Sequence, residues 1–347
     1  MTGPLTISLY RLNKSYKLLS DLLVGMMFDP LIDIVLITGG ATGLGREITK
    51  LFIQANAKVV VFDIVVPAPD SDDYVSGVHY YKCDVSNRKE ITQNAELVRQ
   101  EVGPITILIN NAGITSGKTV LNLSFDEIEN TLAVNLLSNF YTTKLFLPGM
   151  LELKRGYIVT IGSILGYMSP ARLSVYGASK SGLIAFHESL TYELGPPSFN
   201  NTGVKTLLIC PGQMKTTMFN GVKTPSSLLA PELDPKVVAK VVFDSVSLGR
   251  RGEIKIPFYG NILPVMRAFP WPITQSVRYF SGMDASMKRF VGKTRVIASH
   301  QNLAIMKSAL LNSASRLSFF TDPEANSANQ LNSEISVTPS NQAIIKV

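Results

Sequence analysis

The sequence has 347 residues, 46% of them hydrophobic and 17% charged, which provides for a sizeable core and excludes a disordered chain. The formal net charge of +7 comes from residues 249–300, where nine Lys or Arg face two acidic residues. These residues are rich in Phe, Pro, Trp and Met and carry no zinc, helix-turn-helix or RNA-binding motif. They indicate a membrane-surface patch and argue against a nucleic-acid partner.

Residues 1–32 are predicted to form an N-terminal amphipathic segment. The apolar run Leu18–Phe28 is interrupted by Ser20 and Asp21 and falls short of the roughly 20 residues that a spanning helix needs. Basic residues precede this run, but no small-residue cleavage site follows, which argues against a cleaved signal peptide. The apolar side chains share one helical face, which fits an in-plane membrane anchor and equally a helix packed on the domain: Leu19, Leu22, Leu23, Met26 and Met27.

From Asp33 onward, short β-branched runs alternate with helical patterns, as in repeated βαβ units. The predicted strands are Ile34–Thr38, Lys58–Phe62, Val78–Lys82, Thr106–Ile109, Tyr157–Ile161, Val204–Ile209 and Glu253–Ile256. The predicted helices have apolar residues three and four apart and are Leu44–Gln54, Lys89–Glu101, Phe125–Leu147, Val175–Glu193 and Pro235–Leu248. This alternation predicts an α/β fold whose parallel sheet is covered by helices on both faces.

The α/β domain is predicted to span residues 33–260. After it, residues 261–300 form an apolar and basic C-terminal extension, and residues 301–347, rich in Ser and Asn towards their end, are expected to be a flexible tail. The two cysteines, Cys83 and Cys210, lie within or at the end of apolar runs that read as inner strands. We therefore expect no disulfide and a reducing compartment.

A glycine-rich turn, Thr38–Gly45, connects the first predicted strand to the first helix. Glycines at 39, 43 and 45 allow a tight turn and a close approach to phosphate, and the helix N-terminus favours negative charge. An ordinary glycine-rich loop is the alternative, but the strand before and the helix after are the context that a dinucleotide site requires. The fold is therefore predicted to be Rossmann-type and doubly wound.

Acidic residues follow the second and third strands. Asp63 lies about twenty residues beyond the glycine turn, where a carboxylate accepts hydrogen bonds from the adenosine ribose and repels a 2′-phosphate. No Arg follows it, and Thr42 precedes the second glycine, so the sequence favours NAD(H) and leaves NADP(H) as the alternative. Asp84, beside Val85, either reaches the adenine or begins a turn. For Asp63, too, the alternative is a turn residue at the end of its strand.

Further motifs follow in a fixed order: Asn110–Gly113, Asn135, Ser163, Tyr176–Lys180 and Pro211-Gly212. In this order and spacing, from about Asp33 to Ile256, the chain resembles the short-chain dehydrogenase/reductases. The resemblance implies that Asn135, Ser163, Tyr176 and Lys180 form the catalytic group, with Asn135 holding a water that links Lys180 to solvent. The residues expected to bind the cofactor are Thr38, Gly39, Gly43, Leu44, Gly45, Asp63, Asp84, Val85, Asn111, Ala112, Gly113, Tyr176, Lys180, Pro211, Gly212, Met214 and Thr216.

The chemistry of these residue types supports the same roles. Moving a hydride to or from a carbonyl requires a group that moves a proton at the oxygen. Lys180 follows Tyr176 at i+4 on one helical face, and its ammonium together with the positive nicotinamide ring is expected to lower the phenol pKa from its usual value of about 10. Ser163, just after a strand, can polarise the substrate oxygen. Taken singly, the three could be a surface aromatic, a solvated charge and a helix N-cap.

The sequence does not support other kinds of catalytic or metal site. The three histidines lack metal-ligand spacing, so no metal is expected, and a Ser-His-Asp hydrolase is not supported. Ser163 stands in Ile161–Gly166, which is not a Gly-x-Ser-x-Gly nucleophile turn. His187 is interpreted as a packing residue.

Residues 253–292 resemble, more loosely, the membrane-associated hydroxysteroid and retinol dehydrogenase branch, with counterparts at Ile256-Pro257, Leu263-Pro264 and Met287–Gly292. The leading hypothesis is therefore interconversion of a lipophilic alcohol with its ketone or aldehyde at the cytosol-facing surface of endoplasmic reticulum or lipid droplets. The apolar residues from Phe258 to Trp271 either meet the membrane or roof a lipophilic pocket, and an oligomer interface or ordinary packing is the alternative. The family commonly forms dimers or tetramers, so the resemblance leaves a homodimer open, although membrane attachment could change the oligomeric state.

Two other functions stay open on the sequence alone. One is a catalytically quiet, membrane-bound binding or scaffold protein built on the same fold. The other is a soluble carbonyl reductase for polar metabolites.

Overall fold

A seven-stranded sheet organises the residues that the computed structural model describes, which are 27–195, 201–219, 221–222 and 231–290. Most of the predicted N-terminal segment, the end of the predicted C-terminal extension and the predicted tail lie outside these residues. The strands are β1 (Ile34–Thr38), β2 (Lys58–Asp63), β3 (Val78–Lys82), β4 (Ile107–Asn110), β5 (Gly156–Ile161), β6 (Val204–Pro211) and β7 (Gly252–Ile256). They pair in parallel in the order β3-β2-β1-β4-β5-β6-β7, which confirms the doubly wound sheet.

Helices cover both faces of this sheet, as predicted. They are α1 (Gly43–Gln54), α2 (Arg88–Glu101), α3 (Phe125–Leu132), α4 (Ser138–Glu152), α5 (Ser174–Glu193), α6 (Pro235–Ser247), α7 (Leu263–Met266) and α8 (Trp271–Ser281). The two faces follow from the alternation of side chains along a strand. In β1, Val35 and Ile37 pack in the cluster that contains α1 and α6 residues, whereas Leu36 packs in the cluster that contains α2 and α4 residues.

The predicted helix Phe125–Leu147 is interrupted in the structure. One turn of π-helix, Ala133–Leu137, separates α3 from α4, and α4 continues through Pro148 to Glu152. A π-turn accommodates one extra residue in a helix and is frequent at functional sites. Here it carries Asn135, which is fully buried.

The first part of the C-terminal extension packs beside the loop that precedes α5. Arg278 of α8 forms an ion pair with Asp284 at 2.5 Å, and donates a hydrogen bond to the Ser169 carbonyl at 3.1 Å. Asp284 in turn accepts a hydrogen bond from the Ala171 N–H at 2.9 Å. These contacts, called the Arg278–Asp284 clamp below, hold the 3-10 turn Met283–Arg289 against the domain.

Two further expectations can be compared with the described residues. Cys83 and Cys210 are both free and buried, which confirms that they form no disulfide. Among the helices of the described ranges, none combines the length and the apolar character that crossing a membrane requires.

Candidate active site

The predicted site residues meet along one edge of the sheet. The glycine turn, Asp63, Asn111, Ser163 and Gly212 lie at or just after the carboxyl ends of strands, and in a parallel sheet these ends lie along the same edge. The order of the strands reverses between β1 and β4, and a crevice at such a reversal is where open α/β sheets bind their ligands. The fold therefore places the glycine turn, Asn111 and Ser163 beside that crevice.

The glycine turn leaves donors at the start of α1. Gly39 and Gly43 have positive φ angles of 63° and 55°, a region that glycine enters without steric cost. No side chain caps the first turn of α1 and no acidic residue lies in it. Because uncapped N–H groups at a helix N-terminus attract anions, the turn fits a pyrophosphate.

Asn111 locks this turn to the neighbouring strand. Its amide nitrogen donates to the carbonyls of Thr38 at 2.9 Å and Gly39 at 3.0 Å. The Thr38 hydroxyl accepts hydrogen bonds from the backbone N–H groups of Asn111 at 3.0 Å and Ala112 at 3.1 Å. The loop after β4 and the glycine turn therefore hold each other in place, with Gly113 following directly.

The acidic residues occupy different positions at the far end of the crevice. Asp63 is buried at the end of β2 and accepts hydrogen bonds from the N–H groups of Ala41 at 3.0 Å and Val65 at 3.2 Å. Asp84 follows β3, where one carboxylate oxygen accepts both the N–H and the hydroxyl of Ser86. Asp84 thus begins a turn, as one of its two interpretations predicted, and Val85 beside it is buried.

Ser163, Tyr176 and Lys180 are brought together and are nearly buried. Ser163 follows β5, while Tyr176 and Lys180 lie one turn apart on α5. The ammonium nitrogen of Lys180 lies 5.8 Å from the centre of the Tyr176 ring and donates to the Ile161 carbonyl at 2.8 Å. The same strand end therefore positions both Lys180 and Ser163.

Burial dominates the acid–base properties of Tyr176 and Lys180. It raises the pKa of Tyr176 to about 12, and the neighbouring Ser163 hydroxyl opposes that rise. Burial also lowers the pKa of Lys180 to about 8. Desolvation of the phenolate thus outweighs the favourable effect of the Ser163 hydroxyl, and the fall in the Tyr176 pKa that Lys180 and the nicotinamide ring together are expected to cause stays a prediction.

Asn135 clamps two elements of the site. Its side-chain oxygen accepts the Ile114 N–H at 2.8 Å, and its nitrogen donates to the Ile114 carbonyl at 2.9 Å and to the Ser179 hydroxyl at 3.1 Å. Ser179 donates to the Tyr176 carbonyl at 2.7 Å. Ser179 stands beside Lys180 in the motif, but its sequence position alone predicts no role for it. The water link through Asn135 stays a prediction.

The turn after β6 lies beside Ser163. The Pro211 carbonyl is 3.4 Å from the Ser163 hydroxyl, and the Gly212 N–H donates to Ile256 at 2.6 Å. Met214 pairs with Leu233 in an isolated bridge, and the Thr216 N–H donates to the Met214 carbonyl at 2.9 Å. The predicted residues from 211 to 216 thus form one turn beside Ser163.

Apolar side chains pack around Tyr176, and the sequence predicts only part of this lining. The Phe219 ring packs edge-on against Tyr176, with 5.8 Å between ring centres. The other members of this cluster are Leu165, Leu173, Val222, Met287 and Phe290. Met287 and Phe290 stand in a run that the sequence analysis had noted for its resemblance, but only the folded chain brings them to Tyr176.

Comparison with known proteins gives a consistent result. A family model described as short chain dehydrogenase matches residues 33–227. An uncharacterized oxidoreductase of Saccharomyces cerevisiae is 36% identical over 251 residues, 72% of this chain and 82% of the relative. Retinol dehydrogenase 10-B of Danio rerio is 39% identical over 290 residues, 76% of this chain and 85% of the relative. The solved structure of serine dehydrogenase from Escherichia coli matches with a TM-score of 0.54 and 27% identity, covering 64% of this chain and 96% of that one.

The matched residues make up more than half of the chain and contain the glycine turn, Ser163, Tyr176 and Lys180. The resemblance to the retinol dehydrogenase branch is confirmed by the relatives. The chain therefore belongs to the short-chain dehydrogenase/reductase family of NAD(P)-dependent oxidoreductases that act on CH–OH groups.

Proposed function

We propose that this protein interconverts a lipophilic alcohol, such as a steroid, retinoid or related lipid, and its ketone or aldehyde. The apolar lining of Tyr176 by Phe219, Val222, Met287 and Phe290 carries this proposal. A polar substrate would lose its hydration there without gaining partners, whereas an apolar one gains by burial. The similarity to a protein named retinol dehydrogenase supports the same substrate class.

In this proposal Tyr176 moves the proton at the substrate oxygen. During oxidation the hydroxyl proton passes to the ionised Tyr176 oxygen, and during reduction the phenol returns it. Ser163 orients the substrate oxygen by a hydrogen bond, and the Lys180 ammonium favours the ionised phenol. The chemistry that nicotinamide supplies when bound is acceptance or release of a hydride at the carbinol carbon.

NAD(H) is the proposed cofactor. Asp63 lies at the end of β2 where the adenosine ribose would bind, and exposed apolar residues, Ile64 to Val66, follow it. Arg46, directly after the glycine turn, pairs with Asp73 at 2.7 Å and contacts the Asp72 carbonyl. This pairing leaves Arg46 poorly placed to bind a 2′-phosphate.

The variant Asp63→Asn tests this preference. Asn keeps an oxygen that can accept the Ala41 N–H but loses the charge that binds ribose hydroxyls and repels phosphate. We expect affinity for NADH to fall about tenfold while affinity for NADPH is unchanged or improved, since a hydrogen bond to a charged group contributes about 1.5–3 kcal/mol. Fluorescence titration with both nucleotides measures the two affinities. Equal losses for both would contradict a role in selection.

A membrane location is part of the proposal, at the cytosol-facing surface of endoplasmic reticulum or lipid droplets. The basic excess in residues 249–300 supports attraction to anionic lipid. The buried free thiols of Cys83 and Cys210 are consistent with a reducing compartment.

A panel of alcohols tests the proposed substrate class. NADH formation is followed with primary and secondary alcohols of increasing apolar size, and with polar polyols of similar size. We expect kcat/KM to rise with apolar surface and the polyols to react at least about a hundredfold more slowly, because a missing apolar contact reduces kcat/KM by about 10–200-fold. A preference for the polyols would favour the soluble reductase. Nucleotide binding without turnover on any alcohol would favour the scaffold protein.

A further inference from the structure

Helix α8 carries an apolar stripe that nothing in the described ranges buries. Ile273, Val277 and Phe280 fall at i, i+4 and i+7, the spacing of the side that a helix of a globular protein normally turns towards its core. All three are exposed, Phe280 to 85%, and α8 has no buried residue. The stripe therefore has the spacing of residues that pack against a core, but its side chains are exposed and available for contact with a partner.

The residues around this stripe in sequence add exposed aromatic and basic side chains. The name α8 surface is used below for the exposed apolar residues Phe258, Ile262, Val265, Phe269, Trp271, Ile273, Val277, Tyr279 and Phe280. Arg267 and Lys288 are exposed beside it. From Phe258 to Phe290 the one acidic residue is Asp284, which Arg278 neutralises. Aromatic and aliphatic side chains with exposed cations and no free carboxylate match the interface of an anionic bilayer.

The chain that carries the α8 surface also covers the candidate active site. After α8 it turns at Gly282, and Met287 and Phe290 then pack in the cluster around Tyr176. The Arg278–Asp284 clamp joins α8 to the loop just before α5. One short stretch, residues 271–290, therefore has α8 exposed on its outer side and Tyr176 on its inner side.

We propose that the α8 surface docks on an anionic lipid surface and that substrate passes from that surface to Tyr176 beneath Met287 and Phe290. The docking step stands on the exposure and charge of α8, whereas the delivery step rests on the proposed function. Delivery from lipid would spare an apolar substrate the passage through water.

Vesicle flotation of the full chain tests the docking step. The double variant Val277→Glu/Phe280→Glu places two carboxylates on the α8 surface. Its matched control, Val237→Glu/Phe125→Glu, makes the same substitutions at exposed positions on α6 and α3, with Phe125 at 84% exposure. On mixed phosphatidylcholine and phosphatidylserine vesicles, we expect the α8 variant to bind about tenfold more weakly and the control to bind like the natural chain.

Binding of the natural chain is also expected to fall with added salt and with pure phosphatidylcholine vesicles. Equal vesicle binding by the two double variants would overturn docking. That result would also be found if another segment of the chain or a second copy covered the α8 surface.

The delivery step is tested by comparing a long-chain alcohol held in vesicles with a short, water-soluble alcohol. We expect the α8 variant to lose about tenfold in kcat/KM on the vesicle-borne alcohol and to stay within about twofold on the soluble one. Unchanged rates on both alcohols, with vesicle binding lost, would overturn delivery. If the natural chain oxidised neither alcohol, the proposed function and delivery would fail together, and the flotation result would still decide docking.

Discussion

Replacing Tyr176 with Phe is expected to lower turnover by at least about a thousandfold, because proton transfer by a positioned side chain contributes about 10²–10⁴-fold. The substitution removes one oxygen and keeps the ring, so the edge-on contact with Phe219 and the packing on Met287 and Phe290 are retained. NADH formation with an alcohol that the natural chain oxidises measures the loss. Nucleotide titration of the same variant is expected to show NADH affinity within about threefold of the natural chain.

Tyr157→Phe is the matched control for this experiment. Tyr157 lies on β5 and is also buried, but it does not belong to the cluster around Tyr176. Its hydroxyl donates to the Arg250 carbonyl. Its loss is expected to lower stability by about 1 kcal/mol, the net contribution of one hydrogen bond, and to leave turnover unchanged. If Tyr176→Phe retained turnover within about tenfold, another group would have to carry the proton and the proposed mechanism would be wrong.

Replacing Gly45 with Ala is expected to reduce NADH affinity by at least about a hundredfold and to destabilise the fold by about 1–3 kcal/mol, the usual effect of overpacking. A Cβ at this position would lie 2.6 Å from the Asn111 amide nitrogen and would overlap the Gly39 carbonyl. Because both groups are fixed by the lock between Asn111 and the glycine turn, the turn itself must shift. Nucleotide titration and thermal unfolding measure the two effects.

Gly149→Ala is the control for the glycine substitution. Gly149 lies within α4, has no positive φ angle, and a Cβ there would meet nothing within 4 Å. Since Ala is favoured over Gly inside a helix by about 1 kcal/mol, this variant is expected to be as stable as the natural chain or slightly more stable. NADH binding by Gly45→Ala within about threefold of the natural chain would show that the turn does not hold the pyrophosphate.

The fold was predictable because its signals are local. The inner strands are nearly continuous runs of Val, Ile and Leu, as expected for strands buried on both faces, and the predicted bounds of β1 and β3 agree with the structure. The glycine turn and the i+4 spacing of Tyr176 and Lys180 are likewise read from neighbouring residues. Order along the chain was therefore sufficient to place the motifs along one edge.

The features of the site that the sequence does not predict depend on contacts between residues that are distant in the chain. The π-turn at Asn135 has no sequence signal that separates it from regular helix, since both continue the same apolar pattern. Met287 follows Tyr176 by more than a hundred residues, so only the folded chain shows that the two belong to one apolar cluster. The degree of burial of Tyr176 belongs to the same class, because spacing identifies Lys180 as a neighbour but does not show how far the fold shields the phenol from water.

The separate origins of the proton-transfer group and its apolar cover affect how this site can diversify. Ser163 and Lys180 are held by the end of β5, in the interior of the domain, whereas Met287 and Phe290 come from a segment near the other end of the described chain. Substitutions in that segment alter the shape above Tyr176 without moving the groups below it. Changes in this segment would therefore be expected to alter which substrates fit above Tyr176, while the residues that β5 and α5 position stay in place.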